Sequence, residues 1–353
     1  MIRRLALLAC VLTIVITAAS AFLRHTQAGL GCTPWPACYR DAGAQRLEQG
    51  GTATAAQPLE GETDAVFVVR ALHRVSAVLV GLLALGIALF GWTRLGTGDR
   101  VAAAFALVDT VFLSWLGRYT PHDLPLVTLG NVLGGFALAA AFGWIAAGPR
   151  PGSGAARSAM AGVHGSGAAG GRPGGGLRDA PGGGIRMLAW TGFALVALQS
   201  AAGVMISVRH AVDACAGLLC APSGAPLPGL FDPTLALVVS SAADGRPLHL
   251  VHRGLAVLVT MAALMVLWRM RAGAGTSGGA ASRAAAGAAA GAGTGRRDRR
   301  AGAAGVWPLL VLVLGLLAVA GAATASGAPG NLTGTLHNVL AATLFVLFAA
   351  LAR

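Results

Sequence analysis

The sequence predicts an all-α membrane protein in which eight transmembrane helices form two four-helix bundles, related by a pseudo-twofold axis along the membrane normal. Three observations predict it. Hydrophobic residues make up 55% of the 353-residue chain and charged residues 11%, with a mean hydropathy of +0.70. A soluble domain carries about 25% charged residues, so a water-solvated surface around a core is excluded. Eight stretches approach or exceed the roughly 20 apolar residues that cross a bilayer. Motifs in the first half of the chain recur in the same order in the second.

The eight stretches are Leu5–Leu23, Val66–Trp92, Val101–Trp115, Leu124–Ala147, Met187–Val208, His249–Trp268, Val306–Ala323 and Leu332–Ala352. The first follows Met1-Ile2-Arg3-Arg4 and ends near Ala18-Ala19-Ser20-Ala21, as a signal peptide does. Its 19 uncharged residues suit an uncleaved anchor better, and it has a counterpart later in the chain. The third is the shortest.

The net charge of +13 is carried by Arg alone, with no Lys, and could suggest nucleic acid. Its distribution points to topology instead. With the N-terminus in the cytoplasm, 17 of the 26 Arg fall in cytoplasmic segments and six in outer ones, while Arg70, Arg74 and Arg253 lie within spans. Cytoplasmic enrichment of this kind sets orientation. Both termini are therefore expected in the cytoplasm of a bacterial-type inner membrane. Anionic lipid is the expected partner of the basic face, not nucleic acid. Asp109 is the one acid within a span.

Two cytoplasmic stretches are low in complexity: a Gly-rich one within 148–186 and an Ala, Gly and Arg one within 269–305. Both lack the large apolar residues a core needs and read as disordered linkers. The organisation is thus an N-terminal unit (1–147), a linker (148–186) and a C-terminal unit (187–353) interrupted by the loop 269–305.

The repeat supports this division. Leu72-His73-Arg74-Val75 matches Val251-His252-Arg253-Gly254, and Thr128-Leu129-Gly130-Asn131 matches Thr335-Leu336-His337-Asn338. Arg24-His25 precedes Cys32 and Cys38 as Arg209-His210 precedes Cys215 and Cys220. Four spans return the chain to its starting side, so the two units share one orientation.

His252 and His337 fall at matched depth near the outer ends of the sixth and eighth spans, and His73 lies a little deeper in the second. Ionisable groups inside a membrane are costly and default to a functional reading. Two imidazoles from facing helices suit the axial positions of haem iron; an interhelical hydrogen bond is the alternative. Covalent haem attachment is excluded, because no C-x-x-C-H occurs. Arg74 and Arg253 each follow a His and could pair with haem propionates, or snorkel to the headgroups. His249 could reach a propionate or simply sit at the interface. His25 and His210 read as solvated outer-loop residues, His122 as a helix-edge residue and His164 as part of the linker.

Cys32 with Cys38, and Cys215 with Cys220, lie on the oxidising outer side, where disulfides persist. Each pair would close a small loop. A redox role for the first pair stands beside the structural one. Cys10 reads as a buried apolar residue.

Taken together, the Gly29-Leu30-Gly31-Cys32-Thr33-Pro34-Trp35-Pro36-Ala37-Cys38 loop, the two His-Arg pairs and His337 resemble the heme A synthase family. The resemblance covers all eight spans. It implies oxidation of the C8 methyl of haem O to the formyl of haem A for terminal oxidases. It implies haem b held by His252 and His337, and a substrate haem site around the catalytic candidate His73. The implied partners are a haem O supplier (a farnesyltransferase) and a terminal oxidase; a homo-oligomer is left open.

The chain departs from the family pattern in the N-terminal half. The family's Glu three residues before the first His is Arg70 here, and its second His is Gly130. Asn131 is a poor iron ligand, and Asp109 lies too deep to replace the Glu. Three readings follow: a heme A synthase, a non-catalytic haem b-binding protein of oxidase assembly or haem handling, and a bis-His cytochrome linked to quinol.

Overall fold

The computed structural model describes residues 1–28, 64–119, 125–148, 183–208, 215, 246–285, 297–325 and 331–353. Among these residues there are eight helices and no strand: α1 (Ile2–Ala28), α2 (Asp64–Gly91), α3 (Thr97–Tyr119), α4 (Pro125–Ala147), α5 (Gly183–Val208), α6 (Arg246–Ala285), α7 (Arg297–Ala325) and α8 (Asn331–Ala352). All eight are long and apolar enough to cross a membrane. A lone strand would leave its backbone polar groups bare in lipid, whereas a helix satisfies them within one segment. The predicted all-α class with eight helices able to cross a membrane therefore holds.

Most helices outlast their apolar stretches, although α2 stops one residue short at Gly91 and α4 starts one residue late at Pro125. The third span, short by hydropathy, belongs to a 23-residue helix beginning at Thr97, with Asp99 in its first turn. A carboxylate there is favoured by the unpaired N–H groups of the helix start. The turn before it is tight, with the Arg94 and Leu95 amides donating to the Gly91 carbonyl at 2.9 and 3.0 Å. α6 continues to Ala285. That end lies inside the Ala- and Gly-rich stretch 269–305. The reason is composition: alanine has the highest helix propensity. Most of the Gly-rich linker lies outside the described residues, and α5 begins at Gly183.

Helix adjacency follows the repeat. In the first four helices, α1 packs on α2 and α4, and α3 packs on α2 and α4. In the last four, α5 packs on α6 and α8, and α7 packs on α8 and more sparsely on α6. α2 and α4, like α6 and α8, are thus opposite corners of a ring. The halves meet through α1 on α8, α4 on α8 and α4 on α5.

α4 and α8 are the central pair. Half of each span is buried, against 17–33% for the other six. Phe345 stacks on Phe193 of α5 at 3.9 Å between ring centroids and lies 6.0 Å from Phe136 of α4. Gly192 of α5 receives the ring of the fully buried Phe348. By contrast Phe67, Leu82 and Leu89 of α2 are more than 60% exposed. Outward apolar side chains are expected where lipid is the solvent. Hydroxyls inside the spans bond to their own helix: Thr13 to the Ala9 carbonyl at 2.7 Å, Thr17 to Thr13 at 2.9 Å and Thr110 to Ala106 at 2.6 Å. Such back-bonding removes their desolvation cost.

At the other end of the bundle, Arg353 ties the halves together. Its Nη2 lies 2.7 Å from the Asp99 carboxylate, and its Nη1 donates to the Trp144 carbonyl. The guanidinium stands 5.7 Å from the centre of the Trp144 indole.

Candidate functional site

His252 and His337 face one another across the ring of α5 to α8. Each lies six residues past the first residue of its helix, Arg246 and Asn331, or about 9 Å along the axis. The two rings therefore stand at the same distance from the starts of their helices. The two imidazoles are 6.1 Å apart between centroids, with planes inclined at 53°. Imidazole nitrogens sit about 2.0 Å from a metal, and a ring centre lies roughly 1 Å further. Two rings bound to one ion would thus have centroids about 6 Å apart, and this pair has the spacing to share one.

The surroundings of the two rings differ. His252 Nδ1 lies 2.9 Å from the Gln199 carbonyl of α5. A carbonyl can only accept, so Nδ1 carries the proton and Nε2 keeps its lone pair, as a metal ligand requires. Gly203, one turn on from Gln199, makes room for this ring: a Cβ there would stand 3.0 Å from His252 Cε1. His337 Nδ1 is buried and has no hydrogen-bond partner among the described residues.

His249, one turn before His252, is buried. Arg253 is half-buried, and its Nη2 donates to the Cys215 carbonyl at 3.4 Å. That contact places the Cys215 backbone against the start of α6. Cys215 itself is buried and is not a free thiol, whereas Cys10 is the free thiol among the described residues. Cys32, Cys38 and Cys220 lie outside the described residues, as do His122, His164 and His210.

His25 requires a correction. It is not a solvated loop residue: α1 runs on to Ala28, and His25 is buried, 7% exposed. Its ring lies against α8 at Gly334, where a Cβ would come within 2.6 Å of Nε2. Gly334 is one turn before His337, so α1 brings a third imidazole beside the pair. The sequence carried a signal for this, since no helix breaker follows Leu23 until Gly29.

The N-terminal half is built differently. His73 is half-buried on α2, nine residues past the helix start at Asp64, with Arg70 half-buried one turn earlier and Arg74 exposed. The Gly130 position of α4 points at α3: a Cβ there would stand 3.1 Å from Leu116 Cδ2 and 4.0 Å from Phe112 Cζ. Leu116 is buried. Asp109 approaches α4 one turn further on, at Gly134, where a Cβ would be 3.3 Å from its Oδ1. The carboxylate is therefore deeper than Gly130, in line with the sequence reading. Among the described residues no group of three His, Cys, Asp or Glu side chains could hold a metal ion.

Residues 3–349 match the COX15-CtaA family, described as cytochrome oxidase assembly protein. The chain belongs to this family. No curated protein matches it. The resemblance to heme A synthases, first carried by the Cys loop and the His-Arg pairs, is therefore borne out over nearly the whole chain. A heme A synthase-like role in cytochrome oxidase assembly follows for this multi-pass membrane protein. Within the assembly protein, the imidazoles of His252 and His337 form a ring pair between α6 and α8.

Proposed function

We propose that this assembly protein holds haem b between His252 and His337 and oxidises the methyl of haem O to a formyl group for a terminal oxidase, the four electrons leaving to an external electron acceptor and the oxygen coming from water or dioxygen. The observation that carries the first part is the 6.1 Å separation of two imidazoles at matched depth on opposite corners of the ring. The residues fit the group: one ring has its outer nitrogen fixed by a carbonyl at 2.9 Å, and both lie among apolar helices. Haem b held there by His252 and His337 would supply one-electron transfer. Gln199 and Gly203 orient His252. Arg253 donates to the Cys215 carbonyl and is the residue offered to the propionates. His73 and Arg74 are the residues offered to the substrate haem. The Cys32–Cys38 and Cys215–Cys220 pairings close the outer loops, and both termini face the cytoplasm of a bacterial-type inner membrane.

One observation favours a second reading. In the heme A synthase pattern a second His occupies the Gly130 position, and here the space beside that position is filled by Leu116. A haem b-binding assembly factor without the oxidation would tolerate this. Expression with a haem O supply, followed by pigment extraction, separates the two. The first reading expects formyl-haem to accumulate in a His252-dependent manner. Haem B alone, with haem O unchanged, would leave the binding role and remove the oxidation.

The packing also refines how the N-terminal site could be restored. Gly130→His with Arg70→Glu should leave haem content near one per chain, because the new imidazole meets Leu116. Adding Leu116→Ala should raise it toward about two, read by a pyridine haemochrome assay against protein. An unchanged ratio in the triple variant would mean that His73 cannot share a ligand across α2 and α4.

A further inference from the structure

The two candidate axial histidines are unequally supported. Histidines that bind metals almost always donate their second N–H to a carbonyl, a carboxylate or another acceptor, which fixes ring orientation and raises ligand basicity. His252 has that partner in the Gln199 carbonyl. His337 does not: its Nδ1 is buried and unpartnered among the described residues. A buried ring N–H left unpaired is costly, so a partner is expected nearby.

A second orphan lies beside it. His25 is 7% exposed, and its Nε2 is buried and also without a hydrogen-bond partner among the described residues. That ring is seated against Gly334, one turn from His337 on α8, and the missing side chain of Gly334 is what admits it: a Cβ would stand 2.6 Å from Nε2 and 3.1 Å from Cε1. Two buried ring nitrogens, each without a partner among the described residues, thus come from neighbouring helices of the two halves.

We propose that His25 is the positioning residue for His337: His337 Nδ1–H donates to His25 Nε2, through a bridging water or after a small ring rotation, and so turns His337 Nε2 toward the iron. A polar site with two such nitrogens is the kind that holds a buried water. The inference rests on the haem b reading above. It adds that α1, from the other half of the chain, tunes the C-terminal site.

The test uses the full-length, haem-loaded protein and three variants. His25→Gln places an amide where Nε2 stands and should keep wild-type behaviour. His25→Leu and His25→Asn, which cannot present an acceptor there, should stay low-spin but lose haem to apomyoglobin about 10-fold faster. Weaker imidazolate character of His337 should also raise the midpoint potential, shifting the reduced-to-oxidised ratio up to about tenfold, ~59 mV for a one-electron couple. Equal potentials and equal haem loss in wild type, His25→Leu and His25→Gln would overturn the role while leaving the haem reading intact. Should His25→Leu not be recovered, the contrast of Asn with Gln decides in the same way. Colourless wild-type protein would overturn both, and that outcome is distinct because it precedes any His25 substitution.

Discussion

Replacing His252 by alanine is expected to remove the low-spin haem spectrum of the purified protein, with haem per chain falling by at least about 100-fold. The same result is expected for His337→Ala. The geometry makes the two equivalent. The rings stand 6.1 Å apart on opposite corners of one ring of helices, so each supplies one side of the site and neither can stand in for the other. His249 is a turn closer to the helix start than His252, and His25 is held against Gly334. His249→Ala and His73→Ala should therefore keep the low-spin bands. Haem binds the folded chain only, so its loss also lowers stability, by about 2.7 kcal/mol where free haem stands at 100 times its Kd. Thermal unfolding in detergent, followed alongside the Soret band, reads both effects. A His252→Ala protein that stayed red and low-spin would sink the assignment of this pair.

Removing the Arg353 guanidinium should give the largest stability loss unrelated to haem. Arg353 and Asp99 are paired at 2.7 Å with side chains 11% and 10% exposed, and Arg353 also donates to the Trp144 carbonyl. Breaking a buried pair from one side leaves the other charge without compensation and costs about 3–5 kcal/mol. Arg353→Met should therefore cost about that much. The double change Arg353→Met with Asp99→Asn should recover much of it, since no uncompensated carboxylate remains. The pair joins α8 to the start of α3, so its loss should loosen the contact of the two halves rather than the haem site. The check is a melting curve with the haem spectrum recorded before the transition. If the single change were as stable as wild type, or the double change worse than the single, the ion pair would not be holding the halves together.

Spans, repeat and the His252–His337 pair were legible in the sequence for one reason. Lipid leaves no alternative to a helix, so a run of apolar residues is a structural element by itself. Depth along a helix then follows from residue number at 1.5 Å per residue, and two histidines at equal depth can be recognised without knowing which helices touch. Helix ends were less legible. α3 and α6 extend past their apolar runs because Asp99, and later the alanines after Ala272, favour helix without adding hydropathy.

Which side chains meet across helices could not be read the same way. His25 looked like a loop residue because it follows Arg24 and precedes a Gly-rich segment, yet α1 carries it against a glycine of α8, more than 300 residues away. The loss of the second His at Gly130 was visible in the repeat. That Leu116 occupies the space next to it was not, because it depends on how α3 rolls against α4. Arg353 pairing with Asp99 is of the same kind. Apolar periodicity and residue type decided which segments cross the membrane and how deep each imidazole lies. The rotation and neighbours of each helix decided which imidazole has a partner and which position is filled. That rotation is set by ridge-and-groove packing between helices distant in sequence, and small residues such as Gly203, Gly192 and Gly334 mark the close contacts without naming what fills them.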